Sequence, residues 1–124
     1  IQNLVQELDL SVLLITHNLG IVAKTCQRVA VMYAGTVVEC GSTREIFKSP
    51  KHPYTEGLLR AIPRRSTVRG EIKGIAGSIP DFINPPSGCR FHPRCSHVMP
   101  RCSEEEPVVA EIAPGHEVSC FLYS

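Results

Sequence analysis

Four cysteines crowd the last third of the chain. Cys89 and Cys95 have five residues between them, Cys95 and Cys102 have six, and Cys102 and Cys120 have seventeen. Four thiolates can complete a tetrahedral Zn²⁺ site or hold an iron–sulfur cluster. Zinc knuckles favour about two to four residues between paired ligands, because the loop wraps one small ion; the wider gaps here suit a cubane better. Arg90, Arg94 and Arg101 stand beside these positions. Their guanidinium groups are expected to offset the negative charge of the site and to favour thiolate over thiol. Four protein thiolates leave no open position for a substrate, so any metal here reads as structural and not catalytic. Two plainer readings compete: a pair of disulfides stapling a small lobe, or free, part-buried thiols. His92, His97 and His116 are available as substitute ligands and read more simply as solvated loop residues. Cys26 and Cys40 lack sequence partners and are expected to pack as small apolar side chains.

His17 is the other candidate. It directly follows Val12, Leu13, Leu14, Ile15 and Thr16, a continuous aliphatic run of the kind that forms a strand buried on both faces of a parallel sheet. Ligands of open α/β sheets bind beyond the carboxyl ends of the strands. An imidazole there can donate to a phosphate oxygen or help orient a water. The alternative is a loop histidine bonded to a backbone carbonyl.

The elements around His17 read as α/β. Ile1, Leu4, Val5 and Leu8 form one apolar stripe of a helix. Asn18 can cap a second helix containing Leu19, Ile21 and Val22. Residues 28–34 and 36–40 read as a hairpin turning at Ala34–Gly35. Ser42 and Glu45 match a capping box ahead of Ile46 and Phe47. Residues 54–61 read as a last helix with Leu58 and Leu59 inward, stopped by Pro63. Beyond it the character changes: seven of the ten prolines lie between Pro80 and Pro114. Residues 64–77 read as an exposed basic connector with a short strand near 71–75, followed by a Pro-rich loop. Glu104–Glu106 read as a wet helix start after Ser103. The division is therefore 1–62 and 63–124, the second part being an irregular Cys/Pro-rich lobe.

Composition removes several classes. The 124 residues are 43% hydrophobic and 20% charged, which is globular and not disordered. Basic and acidic residues balance to a net charge of +1, with no basic excess to attract nucleic acid. No apolar run approaches the roughly 20 residues needed to span a bilayer, and residues 1–10 lack the apolar core of a signal peptide. The first residue is Ile, so the chain reads as a piece of something longer.

Residues 11–41, SVLLITHNLGIVAKTCQRVAVMYAGTVVECG, closely resemble the end of the nucleotide-binding subunit of ABC transporters. His52, Pro53 and Tyr54 match the HPY signature of the oligopeptide/dipeptide importer ATPases, a group that also serves nickel. GCRFHPRC at 88–95 matches the C-terminal extension of that group. The resemblance implies a P-loop ABC ATPase fold ending in this fragment, with His17 as the switch histidine that contacts the γ-phosphate. It implies ATP and Mg²⁺ in the intact subunit, and import of short peptides on the cytoplasmic face of the membrane. The implied partners are a second ATP-binding subunit, transmembrane permease subunits and, indirectly, a peptide-binding protein. It also associates Cys89, Cys95, Cys102 and Cys120 with a [4Fe–4S] cluster, zinc being the alternative. A cytoplasmic location argues against disulfides.

Two positions depart from the family pattern. Asn18 stands where Asp is common, and Gln27 stands where Asp usually precedes Arg-Val, removing a partner for Arg28. The 124 residues hold no G-x-x-x-x-G-K-[ST] loop, no aliphatic run ending in Asp-Glu and no ABC signature. By themselves they are expected to be catalytically silent, because phosphoryl transfer needs those groups together. The alternative function is a non-catalytic metal-binding module that docks partner subunits. An isolated fragment with an unpaired strand and a bare apolar stripe is also expected to self-associate.

Overall fold

The computed structural model describes residues 5, 7, 10–63, 74–81 and 83–124. The architecture grows from a hairpin. Strand β1 (Arg28–Tyr33) is rich in β-branched and aromatic residues and pairs antiparallel with β2 (Thr36–Ser42). Tyr33 faces Thr36 across the two-residue turn, where Ala34 and Gly35 have φ of 47° and 83°. Positive φ at both central residues lets the turn follow the right-handed twist of the strands. The expected hairpin is therefore present.

One irregularity in it matters for everything that follows. Val31 pairs with Glu39 but Met32 pairs with Val37, leaving Val38 as the extra residue of a bulge. Strict alternation would point Val38 in and Glu39 out. The bulge turns both inward, and both are buried.

Helix α1 (Leu19–Thr25) precedes the hairpin and is capped as expected, Asn18 Oδ1 accepting the Ile21 N–H at 3.1 Å. Helix α2 (Thr43–Lys48) follows it and starts with the expected capping box. There Ser42 Oγ accepts the Glu45 N–H at 3.2 Å, and Glu45 Oε2 accepts the Ser42 N–H at 3.0 Å. Ser42 thereby holds the Glu45 carboxyl below its usual range. Helix α3 (Pro53–Arg60) begins with Pro in its first turn and His52 as N-cap. Arg28, without a carboxylate at Gln27, donates instead to Cys40 Sγ at 3.5 Å.

The second half contains more regular structure than expected. Strands β3 (Val109–Ala113) and β4 (His116–Ser119) form a second hairpin. It joins the first through Glu39↔Val118 and Cys40↔Glu117, making one sheet of order β1-β2-β4-β3. The lobe of residues 63–124 is thus corrected from irregular to part-stranded, and the sheet runs across the compositional change at residue 62. Two short 3-10 turns, His92–Arg94 and Pro100–Ser103, carry the cysteine segment. The expected helix start at Glu104–Glu106 is instead the exit from the second of these turns.

The core contains Val31, Tyr33, Val38, Ile46 and Phe91, with Tyr54, Leu58 and Ile75 packed against it. Tyr33 meets Tyr54 and Phe91 edge-on, with ring centroids 4.6 and 5.1 Å apart. Phe91 belongs to the cysteine segment yet is only 3% exposed, so the second half contributes directly to the core of the first.

The expected buried strand at residues 12–16 is not formed. That segment has no regular structure, and Leu13 and Ile15 are each 89% exposed. A parallel strand requires neighbours on its edges and helices on its faces, and the described residues supply neither there. Most of the helix expected at residues 1–8, and residues 71–73 of the expected short strand, lie outside the described residues; Val5 and Glu7 are helical.

Phe91→Ala is expected to destabilise the chain by about 3–5 kcal/mol, because it opens a cavity shared by Tyr33, Tyr54 and His52. Equilibrium urea unfolding measures it. A loss under about 1 kcal/mol would show that the cysteine segment is not part of the core.

Candidate functional site

His17 lies on the surface, one residue ahead of the N-cap of α1. It borders an open cavity of about 360 Å³ with Asn18, Leu19, Gly20, Leu58, Ala61, Ile62 and Pro63. The expected support, a strand ending at Thr16, is absent, so the placement of this ring at a strand terminus is corrected. The segment still presents an imidazole on the surface, with the start of α1 on one side and the end of α3 on the other.

The four cysteines are unbonded. None forms a disulfide; Cys102 and Cys120 are buried, Cys89 and Cys95 half-buried. The disulfide alternative is thereby corrected in favour of free thiols. Burial pushes the thiols of Cys89, Cys95 and Cys120 up, and neighbouring thiols of the set push in the same direction. Backbone N–H groups oppose this. Cys95 Sγ accepts from His97 N at 3.4 Å and Cys102 Sγ from Met99 N at 3.4 Å, while Phe91 and Leu122 serve Cys89 and Cys120. Gly88, at φ 63°, permits a close backbone approach: an added Cβ would stand 2.5 Å from the Cys102 carbonyl oxygen. Beside it the Cys89 N–H donates to that oxygen at 2.8 Å. Among the described residues no group of three or more His, Cys, Asp or Glu side chains is placed to hold a metal ion. That arrangement gives the metal-docking module no support.

The arginines act differently from expectation. Arg90 donates to the Ala34 carbonyl, Arg94 to those of Ile75 and Ala76, and Arg101 to those of Phe121 and Ser124. Their hydrogen bonds go to backbone oxygens on other segments and, for Arg94, to the Tyr33 hydroxyl, not to the cysteine sulfurs.

A buried polar cluster escaped the sequence reading altogether. Glu39, 1% exposed, receives the Lys51 N–H on Oε1 at 2.8 Å and the His52 N–H on Oε2 at 3.0 Å. His116 Nε2 lies 2.8 Å from Glu39 Oε1, and its Nδ1 lies 3.9 Å from Glu45 Oε1. A carboxylate can only accept, so Nε2 carries the proton. His116, expected in a solvated loop, is 2% exposed. His52 Nδ1 accepts the Tyr54 N–H at 3.1 Å, which makes the histidine of the HPY motif a helix cap. Its ring packs on Phe91, and its pKa falls from 6.5 to about 4, burial driving it down while Glu39 resists. Only a buried acid in a bulged strand could have signalled this cluster, and bulges leave no mark in alternation.

Residues 38–102 match the profile of the oligopeptide/dipeptide transporter, C-terminal region. That span includes Glu39, the HPY turn, Cys89, Cys95 and Cys102, more than half of the chain. The chain belongs to this family. It is 44% identical to an oligopeptide transport ATP-binding protein of Bacillus subtilis, the match covering 98% of this chain and 37% of that protein. A dipeptide transport ATP-binding protein of Caldanaerobacter subterraneus is 40% identical over 99% of this chain and 38% of its own length. An oligopeptide transport ATP-binding protein of Salmonella typhimurium is 41% identical over 98% of this chain and 36% of its own length. The chain therefore spans less than two fifths of these relatives. Among the described residues no helix is long and apolar enough to cross a membrane.

The depressed pKa of His52 has a definite sign. The neutral ring is favoured on folding, so its contribution is complete above pH 6.5 and is lost as pH falls toward 4. Stability should drop by about 3 kcal/mol across that window on this account. His52→Asn keeps a capping oxygen but cannot titrate, and should flatten the acid limb measured by urea unfolding at stepped pH. Parallel acid limbs in the two proteins would remove the assignment.

Proposed function

We propose that this chain is the C-terminal portion of the ATP-binding subunit of an ABC importer for short peptides. The observation that carries the reading is the alignment, over nearly the whole chain, with proteins named as oligopeptide and dipeptide transport ATP-binding proteins. The match to the family profile over the HPY turn supports it. In the intact subunit, ATP and Mg²⁺ would be held by segments that these 124 residues do not contain. His17 would donate a hydrogen bond to the γ-phosphate and hold the surroundings of the attacking water. The subunit would sit on the cytoplasmic face of the membrane, with a second ATP-binding subunit and the permease subunits as partners and a peptide-binding protein acting indirectly. The 124 residues alone would hydrolyse no ATP and would self-associate through the bare aliphatic segment around Leu13 and Ile15, 89% exposed.

In the full-length protein His17→Ala is expected to lower ATP hydrolysis roughly 100-fold while nucleotide binding is retained. Unchanged turnover in that variant would withdraw His17 from the mechanism.

Cys89, Cys95, Cys102 and Cys120 are the residues that would hold a [4Fe–4S] cluster. The reading rests on four free thiols, three of them inside the matched family span, and on the backbone N–H groups directed at the Cys95 and Cys102 sulfurs. Such a cluster would staple a lobe with a thin apolar core. The thiols would bind it as thiolates, their N–H donors offsetting the added charge. Anaerobically purified protein is expected to be brown, with iron and sulfide in equal amounts, and Cys102→Ser to be colourless. Iron-free anaerobic protein would reject the cluster.

A further inference from the structure

A second cavity, of about 220 Å³, opens between the start of β2, the beginning of the cysteine segment and the residues leading into β3. It shares no lining residue with the cavity beside His17. Sites for drug-sized ligands measure roughly 300–1,000 Å³, so a nucleotide or a long peptide is too large for this one. Two opposite charges border it. Arg90 is half-buried and gives an Nη1 hydrogen to the Ala34 carbonyl, while its Nε and Nη2 groups have no acceptor among the described residues. Glu106 is exposed, and its carboxylate has neither an ion pair nor a hydrogen bond among the described residues. An arginine and a glutamate that border one cavity without pairing leave both charges available to a ligand carrying the opposite two.

The rest of the lining sorts by chemistry. Thr36 Oγ1 donates to the Tyr33 carbonyl at 3.0 Å, and Ser119 Oγ donates to that of Val37 at 3.4 Å. With their protons engaged, both hydroxyl oxygens are left with acceptor capacity only. Acceptors suit an ammonium. Val38 and Pro107 add apolar wall. A few placed polar groups against apolar wall is the make-up of a small-molecule site.

We propose that this cavity binds a small zwitterion with free amino and carboxyl ends, an amino acid or a dipeptide. The ligand carboxylate takes Arg90, whose planar fork offers two parallel N–H···O bonds through Nε and Nη2. The ligand ammonium faces Glu106, Thr36 and Ser119. A simple anion would meet the Glu106 carboxylate and a simple cation the Arg90 guanidinium, so each is disfavoured by one of the two charges. The site stands whether or not the chain serves a transporter, and it calls for no metal.

Cys89 borders the same cavity and reports on its occupancy. The test is alkylation of the reduced, metal-free chain by iodoacetamide, with the rate at each cysteine read by peptide mapping. Alanyl-alanine and valine are the probes, at millimolar concentration, and which of them protects decides between dipeptide and amino acid. The protecting probe is expected to slow alkylation of Cys89 saturably, roughly tenfold when well above its dissociation constant. Cys95, outside the lining, should react at an unchanged rate. Glu106 is exposed and unpaired among the described residues, so Glu106→Gln should leave the fold intact. It is expected to raise the concentration giving half-protection roughly tenfold. The N-acetylated form of the probe lacks the ammonium and the amidated form lacks the carboxylate; both should protect poorly, and the acetylated form should be indifferent to Glu106→Gln. Absence of saturable protection by either probe, equal slowing at Cys95, undiminished protection by the blocked forms, or an unchanged half-protection concentration in Glu106→Gln would overturn the assignment.

Discussion

The two hairpins pair through Glu39↔Val118 and Cys40↔Glu117, and the buried carboxyl of Glu39 carries much of the joint between them. Moving a carboxylate out of water costs several kcal/mol unless its oxygens find donors. Here they find three: the N–H groups of Lys51 and His52 and the ring of His116. Hydrogen bonds to a charged group contribute about 1.5–3 kcal/mol each, so three together offset the desolvation. The donors come from the turn before α3 and from β4, segments far apart in sequence. One side chain therefore fixes the start of the HPY helix and the seat of the C-terminal hairpin together.

The same reliance on side chains to join segments recurs in the cysteine region. Phe91 enters the aromatic core, and the arginines on either side of it extend outward to peptide carbonyls. The thiols of Cys89, Cys95 and Cys120 are pushed up by burial, yet backbone N–H groups point at sulfurs of the segment. Groups directed at sulfur in this way favour a charged or coordinated form over a neutral thiol.

The His17 end contrasts with this. Its aliphatic segment is exposed, and the cavity beside it opens between the start of α1 and the end of α3. The apolar side chains that would make residues 12–16 a buried strand have nothing among the described residues to be buried against. A chain spanning less than two fifths of its relatives is the natural setting for such a face.

What could be read from the residues alone was local. The turn at Ala34–Gly35, the Asn18 cap, the Ser42–Glu45 capping box and the helix after Pro53 each depend on neighbours within a few positions, and each formed. The family, too, was legible in HPY and GCRFHPRC. The hairpin of residues 109–119, turning at Pro114–Gly115, is equally local in its signals. Other features were decided only by the tertiary structure. Glu39 turns inward because of a bulge, His116 is buried because a distant acid accepts its hydrogen bond, and the arginines bond backbone oxygens that folding brings within reach. Residues 12–16 stay exposed for the complementary reason. A strand is a relation between segments, and composition can propose one side of that relation but cannot supply the other.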